Sequence, residues 1–205
     1  MRIFRWPHWR RSHAILNGEN ASPHLIIAQH NMNATLTWPE FLSQAKQFLD
    51  ISQQLNDSWQ LYKKDDEEPN SFLKYTQKIK CKANDELINV EYHIVYSVSY
   101  QVPMLYFQAH RSDGRLLDLE ATWSVFMPDA SRTDLYEMLT QMEHPVLFRP
   151  FMALHPCRTC EILAQFGKQS RNLVLTFISI YGPYVKLSLA NAYGLYIEEN
   201  ERSID

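Results

Sequence analysis

The chain has 205 residues, 45% of them hydrophobic, which is enough for one domain with a substantial core and a short appended segment. Its net charge of −3 argues against a general nucleic-acid binder, which ordinarily presents a basic face, and its longest apolar run, around residues 173–181, falls far short of the ~18 residues that suggest a membrane span. Three cysteines without framework spacing, and no apolar signal region, lead to the expectation of a soluble protein in a reducing, cytoplasmic setting.

Residues 1–36 read as a basic, flexible tail. Arg2, Arg5, Arg10 and Arg11 precede any acid, and Trp6, Pro7 and Trp9 break the pattern of an amphipathic transit helix. Met32 is an alternative start. The domain is expected over 37–205, opening with a helix near Trp38. Thr37 and Glu40 form a Ser/Thr-x-x-Glu capping box, and Trp38, Phe41, Leu42, Ala45, Phe48, Leu49 and Ser52 fall on one helical face. The helix should end before Asp57.

Residues 65–70 (Asp-Asp-Glu-Glu-Pro-Asn) form a charged loop. A first strand is expected over 73–81. The next is the clearest: Ile88, Val90, Tyr92, Ile94, Tyr96, Val98 and Tyr100 alternate with Asn89, Glu91, His93, Ser97 and Ser99, which predicts one buried face. Residues 101–103 make a short connection to a returning strand over 104–110. Asp113-Gly114 signals a hairpin leading to a shorter strand over 116–120. Short consecutive connections favour an antiparallel meander laid over the first helix, an α+β arrangement. Leu135, Met138, Leu139 and Met142 have helical spacing, so 132–142 is expected as a helix with Ser131 as its cap. Residues 160–166 suit a helical turn ended by Gly167. Residues 172–181 are strand or buried helix, ended in either case by Gly182-Pro183.

The chemistry gathers at residues 144–160. An apolar run, 151–154, leads into His155-Pro156-Cys157, with Cys160 three residues on. Proline has no N–H and holds φ near −65°, so an arriving strand should stop here and set Cys157 on an ordered bend open to solvent. A free cysteine is most often a small buried hydrophobe, the reading adopted for Cys81. For Cys157 the bend favours a nucleophile. Cys157-x-x-Cys160 could also serve zinc or redox chemistry. However, two further zinc ligands at ordinary spacing are missing, and redox dithiols open a helix within a βαβ pattern. Pro-Cys-x-x-Cys is half of the zinc deaminase signature, but its other half, His-x-Glu, is absent.

His155-Pro156-Cys157, the preceding Glu143-His144-Pro145, the stretch from Ser99-Tyr100-Gln101-Val102-Pro103 through Leu105-Tyr106-Phe107 to Asp113-Gly114, and the closing Ser179-Ile180-Tyr181-Gly182-Pro183 together resemble the autophagy-related protein 10 family of ubiquitin-type conjugating enzymes. The resemblance spans residues 37–195. His-Pro-Cys is shared with autophagy-related protein 3; the hairpin and the lack of that relative's long insertion favour the former family. The resemblance implies a ubiquitin-conjugating-enzyme-like α+β fold, with a meander packed against helices. It also implies that Cys157 accepts the C-terminal glycine of autophagy-related protein 12 from the activating enzyme, autophagy-related protein 7. The glycine would then pass to a lysine of autophagy-related protein 5, supporting autophagosome formation, with no metal or small cofactor. Ubiquitin-conjugating enzymes carry His-Pro-Asn ahead of the cysteine, and no such asparagine precedes Cys157. Tyr100 and His144 are the candidates to stabilise the oxyanion or orient the amine in its place, while His155 shapes the bend. A catalytically silent binding module of the same fold and a Cys157/Cys160 redox protein are the alternatives.

Overall fold

The computed structural model describes residues 35–63, 69–81, 84–128, 138–156, 159–166 and 170–194. The chain divides after Asn31, and all described residues belong to the second unit, Met32–Asp205. Residues 1–34 of the expected tail, most of the acidic loop and the cap at Ser131 lie outside them.

Helix α1 (Trp38–Gln54) starts as its capping box dictates. The Glu40 carboxylate accepts from the Thr37 N–H at 2.7 Å, and the Thr37 hydroxyl accepts from the Glu40 N–H at 3.4 Å. The predicted stripe faces inward, with Phe41, Ala45, Phe48 and Ser52 buried and Trp38, Leu42 and Leu49 at its margins. Among the described residues six antiparallel strands follow: β1 (Gln60–Lys63), β2 (Ser71–Lys80), β3 (Leu87–Ser97), β4 (Val102–His110), β5 (Leu139–Glu143) and β6 (Pro150–Leu154), in the sheet order β1-β2-β3-β4-β6-β5. The predicted meander is therefore present, with a four-residue edge strand, β1, added before it.

Three sequence expectations need correction. Residues 116–120 do not form a strand. Leu116 makes one isolated bridge to His110, and Asp118 instead caps helix α2 (Leu119–Phe126), its carboxylate accepting from the Ala121 N–H at 2.8 Å. Helical spacing at 132–142 is overridden at its end. Residues 139–143 pair along their whole length with β6, and the Leu139 carbonyl accepts from the Trp123 indole at 3.2 Å. Finally, β3 stops at Ser97: the Gln101 N–H closes a turn onto the Ser97 carbonyl at 2.7 Å with Gln101 at φ 54°, so β4 begins two residues early, at Val102-Pro103.

The ambiguous run 172–181 is a helix. Helix α3 (Thr159–Phe166) precedes it, and α4 (Leu173–Tyr181) is capped by Asn172 and by Gln44 of α1, whose side-chain oxygen accepts from the Leu173 N–H at 2.7 Å. Gly182-Pro183 then opens a 3₁₀ turn, as expected of a stop. Tyr92, buried in the middle of β3, donates to the Val185 carbonyl at 2.8 Å and ties this turn to the sheet. The main core lies between the helices and one sheet face. The opposite face, expected to be solvated, carries a second cluster of Phe72, Val95, Met104, Tyr106, Val146, Phe151 and Ala153. Among the described residues no helix is long and apolar enough to cross a membrane.

Gly182 is buried against backbone: a Cβ there would meet the Leu187 carbonyl oxygen at 2.5 Å. Gly182→Ala should destabilise the domain by about 1–3 kcal/mol through forced displacement of that strand of chain. A denaturant midpoint unchanged from that of the unsubstituted protein would contradict the packing described.

Candidate active site

The register decides which residues can meet. β6 runs antiparallel to β4, with Ala153 opposite Tyr106 and Met152 opposite Phe107, so its Leu154 end points toward the start of β4 and the β3–β4 turn. The strand ends where the prolines predict. Leu154 is buried, His155 is exposed with its N–H on the Met138 carbonyl at 3.1 Å, and Pro156 is buried. Cys157 and Arg158 lie outside the described residues. The chain is described again at buried Thr159, which opens α3. Cys160 is half-buried in the first turn of that helix; burial, with Glu161 beside it, pushes its thiol pKa up. Such a thiol is poorly suited to supply a reactive thiolate. Cys81 is buried, as expected.

Tyr100 belongs to the turn at the same end of the sheet. It is not the last inward position of β3: it is 47% exposed and Val98 is 65% exposed, because the strand closes before them. Its N–H donates to the Ser97 hydroxyl at 3.3 Å. The turn is anchored from below by buried Leu36, whose N–H donates to the Gln101 carbonyl at 2.7 Å and whose carbonyl accepts from the Tyr96 hydroxyl at 2.7 Å.

His144 is elsewhere. It opens the β5–β6 turn, at the Pro150 end of β6, and its ring is fully buried on the second sheet face among Phe72, Tyr106 and Phe151. The structure thus brings Tyr100 and His155 to one end of the sheet and does not bring His144 to them. Its ring caps a turn instead. Nδ1 accepts from the Val146 and Leu147 N–H groups, both at 3.2 Å, so the neutral ring carries its proton on Nε2. That proton goes to Nδ1 of His93 at 3.1 Å, which leaves the His93 proton on its own Nε2. This atom stands 3.0 Å from Glu91 Oε1 but off the line of a well-formed hydrogen bond.

Sequence reasoning had placed Glu91 and His93 on a solvated face, yet His93 is only 1% exposed. The usable signal was Phe72, Val95, Tyr106 and Phe151, apolar positions out of phase with the main core. Burial holds the His144 pKa down to about 3, helped by His93 and Arg149, and also lowers that of His93 despite the neighbouring Glu91. The His93 N–H, with Lys74, brings the Glu91 carboxyl down to about 2.

Unfolded histidines bind protons from about pH 6.5 downward while this pair resists them, so its contribution to stability is full above that value and is lost as pH falls toward 3. The Glu91 contribution has the same sign in a lower window, from about 4.5 toward 2. Denaturant midpoints should therefore fall steadily below pH 6.5. His144→Leu should cost about 1–3 kcal/mol at pH 7.5 by stranding two backbone donors, and should flatten the decline above pH 4.5. An unfolding midpoint insensitive to pH between 7 and 4.5 would refute the neutral pair.

Residues 40–192 match the family model described as autophagocytosis associated protein, active-site domain. The chain is 38% identical over 135 residues to "Ubiquitin-like-conjugating enzyme ATG10" of Homo sapiens, covering 62% of this chain and 61% of that protein. It is 41% identical over 87 residues to the protein of the same name from Arabidopsis thaliana, covering 39% and 38%, and 28% identical over 121 residues to that of Dictyostelium discoideum, covering 50% and 53%. The matched segments span less than two thirds of each of these relatives. With a family match running from the first turn of α1 to beyond the 3₁₀ turn, the chain belongs to the autophagocytosis-associated proteins through their active-site domain.

Proposed function

We propose that this protein is a ubiquitin-like-conjugating enzyme. Cys157 takes the C-terminal glycine of autophagy-related protein 12 from autophagy-related protein 7 as a thioester and passes it to a lysine of autophagy-related protein 5, in the cytoplasm. The observation that carries this reading is the position of His155: an exposed residue where β6 ends, two positions before Cys157 in sequence, within a match to an active-site domain. The likeness to relatives named ubiquitin-like-conjugating enzymes supports the reaction class.

The chemistry is balanced. The Cys157 sulfur attacks the carbonyl of the activated glycine and the activating enzyme's thiol leaves with the proton. The acceptor amine then attacks the thioester, the isopeptide bond forms, and the Cys157 thiol is regenerated. A few per cent of an ordinary thiol is ionised at pH 7, and sulfur is nucleophilic enough for that fraction to serve. The lysine is the harder partner: with a pKa near ~10.4, its neutral form at pH 7 costs about 4.6 kcal/mol. Desolvation and placement against the thioester must offset that cost.

No asparagine precedes Cys157 to stabilise the tetrahedral oxyanion, and we assign that donor to the Tyr100 hydroxyl. Tyr100 lies exposed in the turn at the sheet end where β6 stops, whereas His144 has one ring nitrogen engaged in the opposite turn and the other on His93 of β3. His155 shapes the exit from the strand. A Cys157/Cys160 redox couple is disfavoured by the raised Cys160 pKa.

With activating enzyme, modifier and ATP, the unsubstituted protein should form an adduct cleaved by reductant. Cys157→Ser should trap a reductant-stable oxyester and stop ligation, and Cys160→Ser should charge normally. Tyr100→Phe should charge normally but transfer on the order of 10²-fold more slowly in single-turnover assays. Absence of any thioester on the unsubstituted protein sinks the transferase reading and leaves the silent binding module; undiminished transfer by Tyr100→Phe removes the tyrosine from the chemistry.

A further inference from the structure

The second sheet face holds an open groove of about 280 Å³. Tyr62 and Phe72, stacked at 4.6 Å, and Leu147 are its apolar lining, and Lys74, Arg149, Glu91 and His93 supply its polar groups. We propose that this groove docks a short acidic peptide of a partner protein, one that sets an apolar side chain beside a carboxylate.

Donor and acceptor accounting selects that chemistry. His93 can only donate here, because His144 fixes its proton on Nε2. Lys74 gives one of its three N–H groups to Glu91 and keeps two. Arg149 lies over the Phe151 ring at 5.4 Å, and no carboxylate among the described residues pairs with it. Against these donors the groove sets one carboxylate, Glu91, so its side chains carry one net positive charge and excess N–H groups. A single incoming carboxylate between Lys74 and Arg149 neutralises both imbalances, and the Tyr62–Phe72 stack offers its neighbour an aromatic surface.

The site is built rather than incidental. Nε2 of His93 is buried, lines the groove and lacks a well-aligned partner. The His144 ring that orients it also holds the turn at 145–149, and that turn supplies both Leu147 and Arg149 to the rim. Phe148, in the same turn at φ 52°, is exposed beside them. This assignment goes beyond the transferase reading and does not depend on it, since the groove is formed by β1–β3 and the turn remote from the Leu154 end of β6.

The test uses the full chain and a labelled peptide containing Glu-Phe-Asp, with a Lys-Phe-Lys peptide of equal length as control. The acidic peptide should bind with salt-sensitive affinity and perturb amide signals of Tyr62, Lys74, His93 and Arg149, while the basic control does not. Arg149→Glu should weaken binding on the order of tenfold or more, the loss of one charge-assisted contact. Tyr62→Ala, which leaves every charge in place, should also weaken it; unchanged circular dichroism establishes that both variants fold. Equal binding of the two peptides, perturbations mapping elsewhere, full affinity in Arg149→Glu, or occupation of the groove by anionic phospholipid vesicles and not by the peptide would each overturn the proposal. None of these readouts involves an adduct on Cys157, so either reading can fail alone.

Discussion

Among the described residues the backbone ladder joins the β5–β6 hairpin to the rest of the sheet at two residue pairs, Tyr106 with Ala153 and Phe107 with Met152. Through this short ladder the sheet fixes the direction in which β6 travels, and with it the end at which the chain emerges toward Cys157. So brief a pairing would be marginal alone. It is reinforced because β6 is buried on both faces, Met152 and Leu154 entering the main core while Phe151 and Ala153 enter the second cluster. The helix layer and the back of the sheet therefore converge on one five-residue strand.

How much of this was legible in the sequence follows from which interactions are local. The α1 capping box and the alternation along β3 are satisfied within a few residues, and both could be read directly. The end of β6 was legible for the same reason, since a proline acts on its own backbone and on the residue before it. The β5 strand was not: Leu139 and Met142 have a spacing that suits a helix, and only the distant β6 and the Trp123 indole convert them to a strand edge. His93 was misplaced likewise, because its burial depends on Phe72, Phe151 and His144, residues up to fifty-eight positions away. Tyr100 was read as an inward strand position and belongs to the turn, where the side chain is exposed.

The proposed roles of the molecule divide between its regions. The end of the sheet bearing Tyr100 and His155 suits covalent transfer, and the Lys74–Glu91–Arg149 groove suits recognition. His144, first considered for the reaction, serves the other side: its two ring nitrogens connect the β5–β6 turn to the central strand β3. A buried neutral imidazole pair is costly to protonate, which keeps that turn in one geometry at neutral pH.

Pro103, in the second rung of β4, pairs with Tyr96 of β3. On its other side β4 pairs with β6 at Tyr106–Ala153 and Phe107–Met152, and β6 ends at Leu154. Neither Pro103 nor Pro156, two residues beyond the end of β6, has an N–H to give to a ladder. At this end of the sheet the chain thus carries two positions that cannot extend a ladder, which limits how far β6 can anneal past Leu154.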